Sequence, residues 1–74
     1  MTSIRVLKTP KRGEKYYYIG CSLGLFSVKE EIFADDTTDQ LRLKHYNMFE
    51  FSRDAEKVLK EVTKIFEDIG GNKF

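Results

Sequence analysis

From Leu25 the chain reads LFSVKEEIF, and its apolar positions alternate: Phe26, Val28 and Ile32 fall on one side of an extended segment, Ser27, Lys29 and Glu31 on the other. A period of two predicts a half-buried strand over residues 25–33 with one wet face. Upstream, KYYYIG combines residues that favour strands and predicts another over 15–20, with Gly20 and Gly24 bracketing the turn between the two. SIRVLK puts Ile4 and Val6 on one side and predicts an initial strand over 3–8, ended by Pro10 and Gly13 in TPKRGE. ADDTTDQ has no periodicity and reads as a loop, with Asp39 placed to cap a short helical turn through Leu41 and Leu43. YNMFEF predicts a last short strand over 46–51.

The C-terminal pattern is different. Ala55, Val58, Leu59, Val62, Ile65, Phe66 and Ile69 recur at spacings of three and four, which lines them along one face of a helix over about 53–69. Ser52 is placed to cap it, Asp54 suits its positive N-terminal end, and Gly70 and Gly71 are expected to stop it. Some 17 residues give about 26 Å of helix, whose apolar stripe needs a sheet to cover. The expected fold is therefore α+β, a single domain over 1–74: a small antiparallel sheet of three or four strands packed against one C-terminal amphipathic helix. Its core should hold Phe26, Val28, Ile32, Phe49, Val58, Leu59, Val62 and Phe66.

Alternation divides the three consecutive tyrosines, sending Tyr17 and Ile19 to one face and Tyr16 and Tyr18 to the other. With Tyr17 and Ile19 toward the helix, Tyr16 and Tyr18 are left exposed beside the basic turn formed by Lys11, Arg12 and Lys15. On this reading Tyr17→Ala unfolds the domain, while Tyr16→Ala with Tyr18→Ala spares it and damages binding.

Composition narrows the functional classes. A chain of 74 residues buries only about 60% of the surface its unfolded form exposes, which leaves little room for a deep pocket. Six Phe and four Tyr, with 41% hydrophobic and 34% charged residues, argue for a folded chain. The sole cysteine, Cys21, forms no internal disulfide, and a reducing cytoplasm is the simplest home. MTSIRVLK lacks the apolar run of a signal peptide, and no stretch approaches the roughly 20 apolar residues of a membrane span. No membrane association is expected.

The residue order TPKRGEKYYYI, then Asp39-x-x-Arg42, Tyr46-Asn47-x-Phe49 and a helix opening Ala55-Glu56-Lys57, resembles a module of small proteins from bacterial viruses and other mobile elements. That module has the pattern P-x-x-GE-x-YYYI, D-x-x-R, GN-x-F-K-T, EEAE, and the resemblance covers residues 9 to about 68. Two positions depart from it: Tyr46 stands where the module tends to have glycine, and Phe51 where it tends to have a capping threonine, whose role Ser52 can take over. The resemblance implies a mobile-element origin and a sheet-plus-helix fold; the module itself carries no assigned activity.

Catalytic and metal chemistry find no support in the pattern. There is no Ser/His/Asp or Cys/His set, no glycine-rich phosphate loop and no metal-ligand spacing. Asp35, Thr37 and Asp39 alternate as calcium ligands do, but the central glycine and distal glutamate of a calcium loop are missing. Cys21 has no adjacent base in sequence to lower its pKa and reads as a small buried residue, and His45 reads as a surface or hinge residue. No enzyme, cofactor or metal is expected.

Charge is unevenly distributed despite the net value of +1: Arg5, Lys8, Lys11, Arg12 and Lys15 lie near the start, and Glu30, Glu31, Asp35, Asp36 and Asp39 follow. Such asymmetry steers partners or pairs with itself across a hairpin. Two binding readings follow. In the favoured one the chain binds a host protein as an inhibitor or adaptor through Tyr16, Tyr18, Lys11, Arg12, Lys15 and the acidic Asp35, Asp36 and Asp39, with a homodimer joined through the sheet as its plainer form. In the alternative, Tyr16 and Tyr18 stack single-stranded nucleic acid while the basic loop holds its phosphates.

Overall fold

The computed structural model describes residues 4–73. It contains two strands, β1 (Lys15–Ser22) and β2 (Leu25–Ile32), and two helices, α1 (Thr37–Lys44) and α2 (Ser52–Lys73). β1 and β2 form an antiparallel hairpin with Tyr16 opposite Glu31, Tyr18 opposite Lys29 and Ile19 opposite Val28. The class is α+β, as expected, but the sheet has two strands.

The predicted outer strands survive only as single bridges: Phe49 pairs with Val6 on one side and with Tyr17 on the other, both antiparallel. Tyr17 and Phe49 exchange two backbone hydrogen bonds of 2.8 Å, and Leu7 N–H donates to the Met48 carbonyl at 2.8 Å. Next to this contact the ladder ends because a side chain replaces backbone. Asn47 Oδ1 accepts from Ile19 N–H, and Asn47 Nδ2 donates to the Ile19 carbonyl, each at 2.8 Å. One amide thus satisfies the outward-facing groups of Ile19 that a further strand residue would otherwise pair. Residue 3 of the predicted first strand lies outside the described residues.

The turn between β1 and β2 consists of Leu23 (φ 54) and Gly24 (φ 79). Two successive positive φ values are those of a type I′ turn, whose twist matches a right-twisted hairpin. ADDTTDQ does not remain a loop. Asp36 is the N-cap of a two-turn α1, its carboxylate accepting from Asp39 N–H at 2.8 Å, and Asp39 reaches back to Asp36 N–H to complete a capping box. The cap thus belongs to Asp36, with Asp39 at the reciprocal position.

α2 runs through Gly70 and Gly71 to Lys73. Glycine costs a helix about 1 kcal/mol without forbidding it, so the two glycines do not stop α2. Ser52 is the first residue of α2 and stands one position late for an N-cap; the Phe51 carbonyl accepts from Asp54 N–H and Ala55 N–H at 3.2 and 3.4 Å. α2 lies on the face of the hairpin that carries Tyr17, Ile19 and Phe26, with the Phe26 and Phe66 rings stacked 5.5 Å apart.

The buried apolar residues are Tyr16, Phe33, Met48, Phe49 and Ala55. Of the expected core only Phe49 is buried; Val28, Val58, Leu59 and Val62 are half-buried, and Phe26, Ile32 and Phe66 are exposed. The reason is a second packed face. Tyr16, Phe33 and Met48 form a cluster with Leu7, Tyr18 and Leu43, and Leu43 belongs to α1. The hairpin is covered on both sides, and its tightest packing is on the side away from α2.

Candidate functional site

The residues singled out by sequence divide into a buried polar cluster and a charged rim. Tyr16 and Asp39, expected at a partner surface, are buried. Alternation does place Tyr16 and Tyr18 opposite the α2 side, but α1 then covers them. The Tyr16 hydroxyl donates to Asp39 Oδ1, Arg42 Nη1 donates to the Tyr16 hydroxyl at 2.7 Å, and Arg42 lies 3.7 Å from Asp39 Oδ1. Asp39 Oδ2 accepts from Ala34 N–H at 2.7 Å. The Arg42 guanidinium sits 3.7 Å above the Tyr18 ring, a cation–π contact that occupies one face of that ring.

The electrostatics follow from this closed arrangement. Burial and the hydrogen bond to Asp39 push the Tyr16 hydroxyl up to about 12, against the opposing influence of Arg42. Burial alone would raise the Asp39 pKa, but the hydrogen bonds from Tyr16, Ala34 and Asp36, with the Arg42 charge, hold it below the usual carboxylate value. Arg42 is raised despite its own burial, through Tyr16 first and then the charges around it. Among the described residues no buried side-chain polar atom lacks a hydrogen-bond partner, and the cluster locks α1 onto β1.

The D-x-x-R spacing quoted above therefore has a structural use: three residues along α1 bring a carboxylate and a guanidinium to the same tyrosine. The YYYI, D-x-x-R and Asn47 elements converge on one hydrogen-bonded unit. Arg42, which sequence reading placed in a motif without giving it a role, was findable from the i, i+3 spacing of two opposite charges on a helix.

Lys11, Arg12 and Lys15 are exposed, as are Asp35 and Asp36. The two charged segments are neighbours, since Gly13 N–H donates to the Phe33 carbonyl at 2.9 Å. Part of the asymmetry pairs with itself, Lys15 Nζ lying 3.6 Å from Glu30 Oε2, while the backbone N–H of Lys11 donates to Glu14 Oε1 at 3.0 Å within the turn. Asp35 accepts from the Gln40 side chain, and Asp36 is spent on its cap.

A different surface was missed by sequence reading. Leu23 is fully exposed and Leu25 is 73% exposed at the hairpin tip, and Phe26, Phe66, Ile65 and Ile69 are each between 40% and 56% exposed; Cys21, expected to be buried, is exposed as well. Gly24, Leu25, Phe26, Thr63, Phe66 and Glu67 line a groove of about 380 Å³ between the tip and the end of α2. Sequence reading expected a three- or four-stranded sheet to cover the whole stripe of α2; a two-stranded hairpin leaves Ile65, Phe66 and Ile69 exposed.

Among the described residues no group of His, Cys, Asp and Glu is arranged to hold a metal ion, and no helix is long and apolar enough to cross a membrane. Comparison of the chain with protein-family models, curated proteins and solved structures gave no match.

Proposed function

We propose that this chain is a non-enzymatic, cytoplasmic accessory protein of mobile-element type that binds a host protein, as an inhibitor or adaptor, through the hairpin tip and the end of α2. The observation that carries the reading is the exposed apolar surface. Leu23, Leu25, Phe26, Ile65, Phe66 and Ile69 are each at least 40% exposed, and Leu25, Phe26 and Phe66 line one groove. Large apolar side chains exposed beside a groove mark a protein-binding surface more often than a surface retained for folding. Glu67 is the charged residue in the groove lining, which suits an apolar protein partner rather than a polyanion.

The acidic and basic residues first expected to bind become secondary, because Tyr16 and Asp39 are buried and Asp36 caps a helix. Single-strand stacking loses its platform for the same reason: Tyr16 has no exposed ring and Arg42 covers one face of Tyr18. The test is a tagged pull-down from bacterial lysate after nuclease treatment, comparing the native chain with Leu23→Asp and Ile69→Asp. One host protein retained by the native chain and lost by both variants supports the reading. Recovery unchanged by both substitutions, or recovery of nucleic acid alone in the untreated sample, overturns it.

A further inference from the structure

The outer edge of β2 is unpaired, and its sequence is complementary to itself. In an antiparallel ladder the backbone groups of successive residues point alternately to the two sides. Tyr17 and Ile19 turn theirs away from β2, toward Phe49 and Asn47, so Tyr16, Tyr18 and Gly20 pair with Glu31, Lys29 and Ser27. Phe26, Val28, Glu30 and Ile32 consequently direct their N–H and C=O groups outward. Among the described residues no other strand pairs with β2, and the Ile32 N–H is met only by the neighbouring Glu31 carboxylate, at 3.1 Å. An edge of this length is a template for another strand.

Read in opposite directions, Val28-Lys29-Glu30-Glu31-Ile32 matches a second copy of itself. A two-fold axis at Glu30 sets Val28 against Ile32 on the α2 face and Lys29 against Glu31 on the other, each pair occurring twice. The two Glu30 carboxylates meet at the axis, where each already has Lys15 of its own chain 3.6 Å away. Outward-pointing Val28, Glu30 and Ile32 supply about six ladder hydrogen bonds in this register. Ile32, 48% exposed in the single chain, gains an apolar neighbour. The register sets like against like only at Glu30, where each chain has its own Lys15 close by, and it disfavours a strand that brings a positive charge to Lys29 or a negative one to Glu31.

We propose that two copies of the chain pair through β2 in this antiparallel register, forming a four-stranded sheet of order β1-β2-β2-β1. The hairpin tips then lie at opposite ends of the sheet. The proposal stands whether or not the tips bind a host protein.

Charge reversal tests both the pairing and its register. Sedimentation over a concentration series is expected to show the native chain as a dimer. Lys29→Glu and Glu31→Lys, each converting two attractive pairs into two repulsive ones, should raise the dimer Kd at least about tenfold, and the double reversal should restore it. Glu30→Pro removes an outward N–H without touching the bonds to β1, and should give a folded monomer. Circular dichroism of each variant separates lost pairing from lost folding. A native chain that stays monomeric to several hundred micromolar overturns the proposal. So does a dimer that both single reversals and Glu30→Pro leave intact, or one that the double reversal fails to restore.

Discussion

The Tyr16 hydroxyl donates to the Asp39 carboxylate, joining the first strand to the helix that covers its far face. This bond reverses the expected ranking of the tyrosines. Tyr16→Ala should cost about 3–5 kcal/mol, as for a large buried aromatic, and the smaller loss should come from half-buried Tyr17→Ala. Tyr16→Phe keeps the ring and removes the hydroxyl, leaving Asp39 and Arg42 short of a partner, for about 1–3 kcal/mol. Urea unfolding of the three variants checks the order; a Tyr17→Ala loss larger than that of Tyr16→Ala would contradict the buried cluster.

The same pair sets a pH dependence with two arms. Asp39 has a depressed folded pKa, so its contribution is present above the unfolded value of about 4 and is lost as pH falls below it. Tyr16 is raised to about 12 in the folded chain, so its contribution is complete below the unfolded value of about 10 and is lost as pH rises from there toward 12. The alkaline loss should be on the order of 2 kcal/mol. Unfolding free energies across pH should therefore fall at both ends, and Tyr16→Phe should remove its share of the alkaline fall.

Tyr46 adopts φ 60, the left-handed backbone that glycine occupies without strain. A bulky residue at this position is expected to send the loop along a different course, yet Tyr46 takes the left-handed geometry that a glycine there would allow. Because Tyr46 is 68% exposed and little packing is lost, Tyr46→Gly should stabilise the domain by a few tenths to about 1 kcal/mol. Asn47→Ala, one residue later, should cost about 1–2 kcal/mol by stripping both bonds from Ile19. Thermal unfolding should move in opposite directions for these neighbours.

These residues also show what was legible in the sequence. The hairpin and α2 were, because periods of two and of 3.6 are local and each repeats through its element. The buried cluster was not: ADDTTDQ reads as wet loop because three aspartates are normally solvated, and only the approach of Tyr16 from 23 positions away makes Asp39 a buried acceptor. The outer strands were over-read for a related reason. YNMFEF has strand composition, but Asn47 serves β1 with its side chain, which composition does not reveal. The apolar tip was missed because a three- or four-stranded sheet was expected to cover the whole stripe of α2, and the sheet has two strands.

Leu23 separates function from stability most sharply. Its φ of 54 is unfavourable for a leucine, and it is fully exposed, so no packing in the described chain accounts for it. Asn-Gly is the preferred pair for a type I′ turn, and Leu23→Asn should stabilise the hairpin by roughly 0.5–1 kcal/mol. A residue retained for folding alone would lose nothing by that exchange. If the tip is a binding surface, the same substitution removes a large apolar contact and should weaken partner affinity by about tenfold or more. Thermal unfolding and titration of the captured partner on one protein preparation give the two numbers, and higher stability with unchanged affinity would leave Leu23 no part in binding.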